Sequence, residues 1–379
     1  MTKHPAVMAG KHGEEGAAAE VESQKWQRFP VPGVQASKDT KKYTGAVFSL
    51  QQPLWTGGKI TAGIDAAKAR LQAAKHDLRE TRLEVLQSSI DAYAEALVRQ
   101  SQIGIMREGI TQHKRLFEMI SRRVEREISP RADKELAHSR LRSAENDLSY
   151  ADQSLSKALT TLTELTGIEV TAVTGSHEQY VAVTPVEKNE AYKLAIENSP
   201  AISSLEFSRQ AADADIEAKR AAFWPMLSLR LEKNAGPNSE QRAMLYLESQ
   251  FGAGLSASSN VSAAVSSREA ISWQRQSAER DLKNRVAQEW DAYAESRRRF
   301  ENTRATSVSA WQVYESYARL YSISQKSWLD VLNSLREAVQ AKTAVETASA
   351  EVIRSSLRLN ALIGKLFPDV VGASAPVEQ

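Results

Sequence analysis

Apolar residues recur along this chain in two rhythms, one of period two and one close to 3.5, and the same order of rhythms occurs twice. In MLSLRLE (226–232), Leu227, Leu229 and Leu231 fall on one side and Ser228, Arg230 and Glu232 on the other, which predicts a strand with one apolar face. AMLYLESQF (243–251) continues the alternation less strictly, and KNAGPNSEQR between them carries the Gly, Pro and Asn of a turn. Weaker strands are predicted near Val31–Ser37 and Tyr43–Gln52, joined by SKDTKK. A helix over residues 5–29 precedes the first pair and ends at Phe29-Pro30, and its counterpart ends at Trp224-Pro225. Proline cannot continue a helix and biases the residue before it to extended geometry.

After the first strand pair, Ile60, Ile64, Ala67, Leu71, Ala74 and Leu78 are spaced alternately four and three apart, and the pattern resumes at Leu86, Ile90, Tyr93 and Leu97. That is a coiled-coil seam, and it predicts one long helix from about Thr61 to Arg126, interrupted at EISPRAD by Pro130. A returning helix shows Leu141, Ala144, Leu148, Ala151, Leu155, Ala158, Leu162 and Leu165 at heptad spacing. Its later counterpart has Val331, Ala338, Val345, Val352, Leu359 and Leu366 at every seventh residue. Each copy therefore contains an antiparallel helical hairpin.

The duplication is also visible residue by residue. DAYAE stands at 91–95 and again at 291–295. Residues 4–30 align on 199–225 without a gap, matching Pro5 to Pro200, Val21 to Ile216 and Pro30 to Pro225. The chain divides on this basis into a first repeat (1–180: helix, two strands, long helix, return helix), a linker or equatorial segment (181–198), a second repeat (199–367) and a tail (368–379). At 1.5 Å per residue the long helix spans roughly 100 Å and the return helix about 55 Å; the helix before the strands adds about 37 Å, so two short helices end to end nearly match the long one. The result is a rod with strands at one end, whose unpaired sheet edges are removed by oligomerisation into a closed barrel.

Composition narrows the function classes. Lys and Arg total 49 against 47 Asp and Glu, a net charge of +2 that provides no electrostatic case for nucleic acid. The absence of cysteine excludes disulfides, thiolate metal sites and Cys nucleophiles. The histidines at 4, 12, 76, 113, 138 and 177 form no pair with metal-ligand spacing and read as exposed helix positions. No phosphate loop or nucleophile elbow is present, so neither enzymatic activity nor a cofactor is expected. No run approaches the ~18 to 20 apolar residues of a membrane helix, and residues 1–25 lack the apolar core of a signal peptide.

FSLQQPLWTGGKITAGIDAAKARL (48–71) and YSISQKSWLDVLNSLREAVQAK (321–342) carry a specific resemblance. The first resembles the strand exit into a long helix, and the second the helix-hairpin tip, of the TolC family of outer-membrane efflux and secretion channels; the similarity extends over residues 4–367. The resemblance implies a mainly α fold of long antiparallel coiled-coil helices forming an α-barrel. It also implies four strands per protomer in a shared β-barrel of a homotrimer in the outer-membrane lipid, with the helices reaching into the periplasm. Such strands give a weak hydropathy signal, so a mean hydropathy of -0.43 is no objection. Family members carry a signal sequence ahead of a segment like the one starting at His4, Pro5 and Ala6. Here only MTK precedes it, so the export signal is expected to be missing.

The implied partners are a periplasmic adaptor and an inner-membrane transporter. An ABC transporter, hence type I secretion, is preferred over a proton-driven drug pump. Carried over residue by residue, the resemblance places Tyr321 and Lys326 at gate-bonding positions, Asp330 on an acidic ring and Asn333 where a second acid occurs, with Asp133 of SPRADKEL at the partner tip. The competing reading of these five is solvated polar residues ending two helices. Glu127 and Ser324 stand where the family often has glycine. Trp55 reads equally as an interfacial aromatic or as packing at the junction of strands and helices, whereas Trp273, Trp290, Trp311 and Trp328 read as core or seam. The alternative function is a soluble coiled-coil scaffold or periplasmic adaptor, and whether 31–52 and 226–251 form β-hairpins discriminates the two.

Overall fold

The computed structural model describes residues 3–38, 44–175, 187–235, 240–249 and 256–366. The elements run α1 (Pro5–Trp26), β1 (Val31–Lys38), β2 (Thr44–Trp55), α2 (Lys59–Glu125), α3 (Arg131–Thr166), α4 (Lys188–Asn198), α5 (Pro200–Arg220), a 3-10 turn (Ala221–Phe223), β3 (Met226–Ala235), β4 (Gln241–Glu248), α6 (Ser256–Ser322) and α7 (Trp328–Leu362). Parts of the two predicted hairpin turns (39–43, 236–239), residues 250–251, His177, linker residues 181–186 and the tail 368–379 lie outside the described residues.

Boundaries differ from the sequence expectation where local hydrogen bonding intervenes. The helix expected over 5–29 stops at Trp26, and the N–H groups of Gln27, Arg28 and Phe29 bond three residues back, tightening the chain before Pro30. The long helix begins two residues early, because Gly57 and Gly58 adopt positive φ and Thr56 Oγ1 accepts the Ile60 N–H at 3.5 Å. Strand β2 continues through Pro53 to Trp55, with its register shifting between those residues. Residues 188–198 of the expected linker are helical, with Ala191 and Ala195 fully buried.

Both strand pairs form antiparallel hairpins, and β2 also pairs with β3, giving one sheet in the order β1-β2-β3-β4. Directly opposed residues share a face, so the register sorts the side chains. Leu50 faces Leu231, Leu229 faces Leu245 and Leu227 faces Leu247. Val34 and Phe48, also opposed, join them. This apolar face is open: Val34, Leu245 and Leu247 are each 69% exposed. The other face carries Gln35, Ser49, Gln51, Ser228, Arg230 and Glu232, with a 3.1 Å bond from Gln51 to Ser228 and a 2.8 Å Arg230–Glu232 ion pair. Where strands meet helices, Trp55 stands edge-on to Trp224 at 6.4 Å while remaining 46% exposed, and Trp26, Phe29, Phe223 and Trp224 are exposed as well.

The chain folds into two compact units that cut across the sequence repeats, each taking residues from both halves. One comprises Pro5–Thr81 and Ser199–Asp281 and holds the sheet. Its helical core uses Val21, Ile64, Ala67, Leu78, Ile202 and Ile216, including the early seam positions. Arg268 bonds Asp213 at 3.0 Å, and Arg209 bonds both Asp213 and Glu206.

The other comprises Arg82–Asn198 and Leu282–Gln379 together with the first four residues. Here the heptads are used directly: Leu141, Ala151, Ala158 and Leu162 are buried on α3, and Val331, Ala338, Val352 and Leu359 on α7. On α6 the buried frame is Val286, Tyr293 and Phe300. Projected back by heptads it reaches Ser272, not Trp273, so Trp273 is 64% exposed rather than on the seam. Trp311 and Trp328 pack against the cluster of Leu116, Tyr314, Val331, Leu332 and Leu335. Trp290 receives the Lys188 ammonium on its face at 5.5 Å.

His113, expected to be exposed, is buried. Its burial and the nearby Arg140 charge depress its pKa; His76, stacked on Phe207 at 5.4 Å, is depressed by burial and Arg79. Both imidazoles hold a proton less tightly folded than unfolded, so the unfolded chain gains more protons as pH falls through the ordinary histidine range. Stability is therefore expected to be highest above that range and to drop on acidification through it. Thermal unfolding followed from about pH 7.5 to about 5.5 should show this fall, and His113→Gln should make it shallower.

Candidate functional site

The five sequence-predicted residues lie in and beside two helical turns of the second unit, one joining α2 to α3 and the other α6 to α7. The helices end in the same way. Glu127 N–H bonds the Val124 carbonyl at 3.0 Å and Ile128 N–H the Arg123 carbonyl at 2.9 Å. Ser324 N–H bonds the Tyr321 carbonyl at 3.0 Å and Gln325 N–H the Leu320 carbonyl at 2.9 Å. This paired pattern closes a helix through one left-handed residue, ordinarily glycine. Here Glu127 (φ 59°) and Ser324 (φ 63°) take that conformation, so the turn keeps its usual geometry despite the missing glycines. A side chain in left-handed geometry costs roughly 1–2 kcal/mol.

The following helices start differently. α3 begins behind Pro130, whose fixed φ suits a helix start, and Asp133 lies in its first turn, where a carboxylate meets the positive end of the helix dipole. α7 begins with a capping box: Ser327 Oγ accepts the Asp330 N–H at 3.1 Å, and Asp330 accepts the Ser327 N–H at 3.3 Å. Ser-x-x-Asp is legible in SWLD, and this signal assigns a role to Ser327 that the family comparison does not.

Of the five, Lys326 and Asp330 are brought together. Lys326 Nζ lies 4.0 Å from the Asp330 carboxylate and 4.3 Å from the centre of the Tyr317 ring. Tyr321 packs on the Leu332–Leu335 cluster with the Arg123 guanidinium 5.8 Å from its ring centre, and its buried hydroxyl has no hydrogen-bond partner among the described residues. Asn333 is exposed, and neither its side chain nor that of Asp133 bonds to another described residue. Ile128, Ile323 and Leu329 are exposed around the two turns. No group of three or more metal-ligating side chains occurs among the described residues, and none of their helices is long and apolar enough to cross a membrane.

The family model described as outer membrane efflux protein matches residues 3–168 and 191–365. The alkaline protease secretion protein AprF of Pseudomonas aeruginosa is 29% identical over 200 residues, which is 51% of this chain and 41% of AprF, so the match spans about two fifths of that relative's length. A membrane protein from Pseudomonas aeruginosa shares the fold with a TM-score of 0.85 at 18% identity, over 95% of this chain and 89% of that one. The outer membrane protein VceC of Vibrio cholerae does so with a TM-score of 0.82 at 16% identity, over 96% and 93%. At these identities the likeness to solved structures concerns the fold alone.

Restoring glycine at the left-handed positions should relieve backbone strain without removing a contact. Glu127→Gly and Ser324→Gly are each expected to raise unfolding stability by about 1 kcal/mol, whereas Ser327→Ala should lower it by a similar amount. Denaturant titration of the three variants checks both signs.

Proposed function

The chain belongs to the outer membrane efflux protein family, and from that premise we propose that three copies form an outer-membrane conduit of a tripartite export system. In this reading the conduit works with a periplasmic adaptor and an inner-membrane transporter. The observation that carries it is the exposed, two-faced sheet. In water, an open apolar face formed by Val34, Phe48, Leu50, Leu231, Leu245 and Leu247 is a liability; against lipid it is the expected exterior of a barrel whose polar interior faces water. The free edges of β1 and β4 support the same reading, because pairing each with the opposite edge of another copy leaves no strand edge unsatisfied. The exposed Trp and Phe residues at the foot of the sheet suit the boundary between hydrocarbon and water. A soluble scaffold or adaptor has no use for such a face.

Within that family the protease-secretion role named for AprF favours type I secretion, with an ABC transporter as the energy source, over a proton-driven drug pump. The helical turns then form the periplasmic gate. Three copies of Asp330 around a narrow axis repel one another and attract cations, and Lys326 and the Ser327 capping box hold each carboxylate in place. The Tyr321 hydroxyl and the side chains of Asp133 and Asn333, which have no hydrogen-bond partner among the described residues, provide polar groups for contacts between hairpins or copies.

Planar-bilayer recording of the purified trimer should show discrete conductance that divalent cations block from the tip side, and Asp330→Ala should relieve the block. Leu245→Arg should impair barrel insertion, by about 2–4 kcal/mol at the bilayer midplane, while Gln51→Arg on the opposite face is tolerated. A chain that never conducts overturns the channel reading; unchanged block in Asp330→Ala overturns only the gate assignment.

A further inference from the structure

In the unit that carries the tip turns, the apolar core is interrupted. One cluster gathers around Ala96, Leu97, Leu162 and Ile353, another around Leu116, Val331, Leu332 and Leu335. Between these levels α2, α3 and α7 leave a cavity of about 470 Å³. Its origin lies in side-chain size. α2 comes against α7 at Gly109, where an added Cβ would lie 2.9 Å from a Val339 methyl, while α3 lines the space with Ser143, Ala144, Ala151 and Ser154.

The charges around this space do not balance. Arg99, Arg140 and Arg336, one from each helix, line it against a single acid, Asp147. Arg99 is already engaged by Glu95 and Gln102 at 2.8 and 3.0 Å. Arg140 and Arg336 form no ion pair among the described residues. His113, also on the lining, is only 7% exposed, and its Nδ1 is buried without a hydrogen-bond partner among the described residues. A buried nitrogen left unsatisfied is costly, and the half-buried Arg140 and exposed Arg336 line this half-open groove without a carboxylate partner among the described residues. Met106, Ile110 and Val339 give the remaining wall an apolar character.

We propose that this cavity is a binding site for a small anionic amphiphile, a medium-chain alkyl carboxylate, with its head held by Arg140, Arg336 and His113 and its chain against Met106, Ile110 and Val339. The volume lies within the usual range for small-molecule sites. A neutral imidazole can donate from Nδ1, and two guanidinium groups provide charge-assisted bonds to a carboxylate. An uncharged chain of the same length fills the space but leaves the nitrogen and both cations unanswered. The proposal concerns one unit of a single chain and does not rest on the channel reading.

Isothermal titration of the purified full chain, held in amphipol, with decanoate, decanol and inorganic phosphate tests it. Decanoate should bind saturably at one site per chain, with decanol and phosphate each at least about tenfold weaker, the worth of one charge-assisted bond. Arg140→Gln combined with Arg336→Gln should weaken decanoate by about tenfold or more and leave decanol unchanged. Ala144→Phe, which fills the cavity, should abolish saturable binding; should that variant not fold by circular dichroism, the arginine pair decides. Equal affinity for decanoate and decanol, phosphate binding as tightly as decanoate, decanoate binding indifferent to loss of both arginines, or no saturable binding by the native chain would each overturn it.

Discussion

The ladder between β2 and β3 is the constraint from which the rest follows. It pairs residues 46–55 with 227–235, nearly half the chain apart, and so fuses the hairpin of each repeat into a single sheet. Backbone N–H and C=O groups must be satisfied wherever water is scarce. With the central edges consumed by this ladder, β1 and β4 are the edges left to pair outward among the described strands. The same register aligns leucines across three strands and polar side chains behind them. One set of hydrogen bonds therefore determines which face is apolar and which edges are open, the two properties that make the sheet suitable for a shared barrel.

Duplication supplies two copies of each element, yet packing assigns them different work. Asp91 of the first DAYAE meets Arg358 at 2.9 Å, and that arginine also holds Glu289, whose pKa burial pushes up. Asp291 of the second bonds Lys188 on α4, at 2.8 Å. Tyr93 donates its hydroxyl to the Thr174 carbonyl, while Tyr293 is 3% exposed and its hydroxyl has no partner among the described residues. The repeat is a property of the sequence; the compact units mix its halves.

The tip shows the same divergence on a smaller scale. Both turns use an identical hydrogen-bond pattern and a strained left-handed residue, but one restarts its helix behind Pro130 and the other through the Ser327–Asp330 box. Asp330 thus serves two roles. Its carboxylate stabilises the start of α7, and in the channel reading it also faces the constriction. In the proposed channel, capping holds that carboxylate in place, so an acidic ring of three copies is preorganised rather than dependent on flexible side chains.

By itself the sequence determined the kinds of element and their order. Period-two and heptad spacing follow from backbone geometry alone, and the seam positions Ile64, Leu86, Leu162, Val331 and Val352 are buried as their spacing requires. Proline likewise marked the helix ends ahead of both strand pairs, whereas Ser-x-x-Asp at the start of α7 is a signal that the reading of the sequence passed over. Which elements meet was decided only by tertiary structure, because contact depends on partners distant in the chain. Nothing local to Trp273 records that the buried frame of α6 passes one residue away, and nothing local to His113 records that Arg140 of α3 lies beside it. The cavity between α2, α3 and α7 is illegible for the same reason: it arises where a glycine on one helix and small residues on another reach the same level, a coincidence no single segment encodes. That Tyr321, Lys326 and Asp330 stand at a helical turn was legible, whereas their contacts, Lys326 to Asp330 and Arg123 over Tyr321, required the folded turns to bring them together.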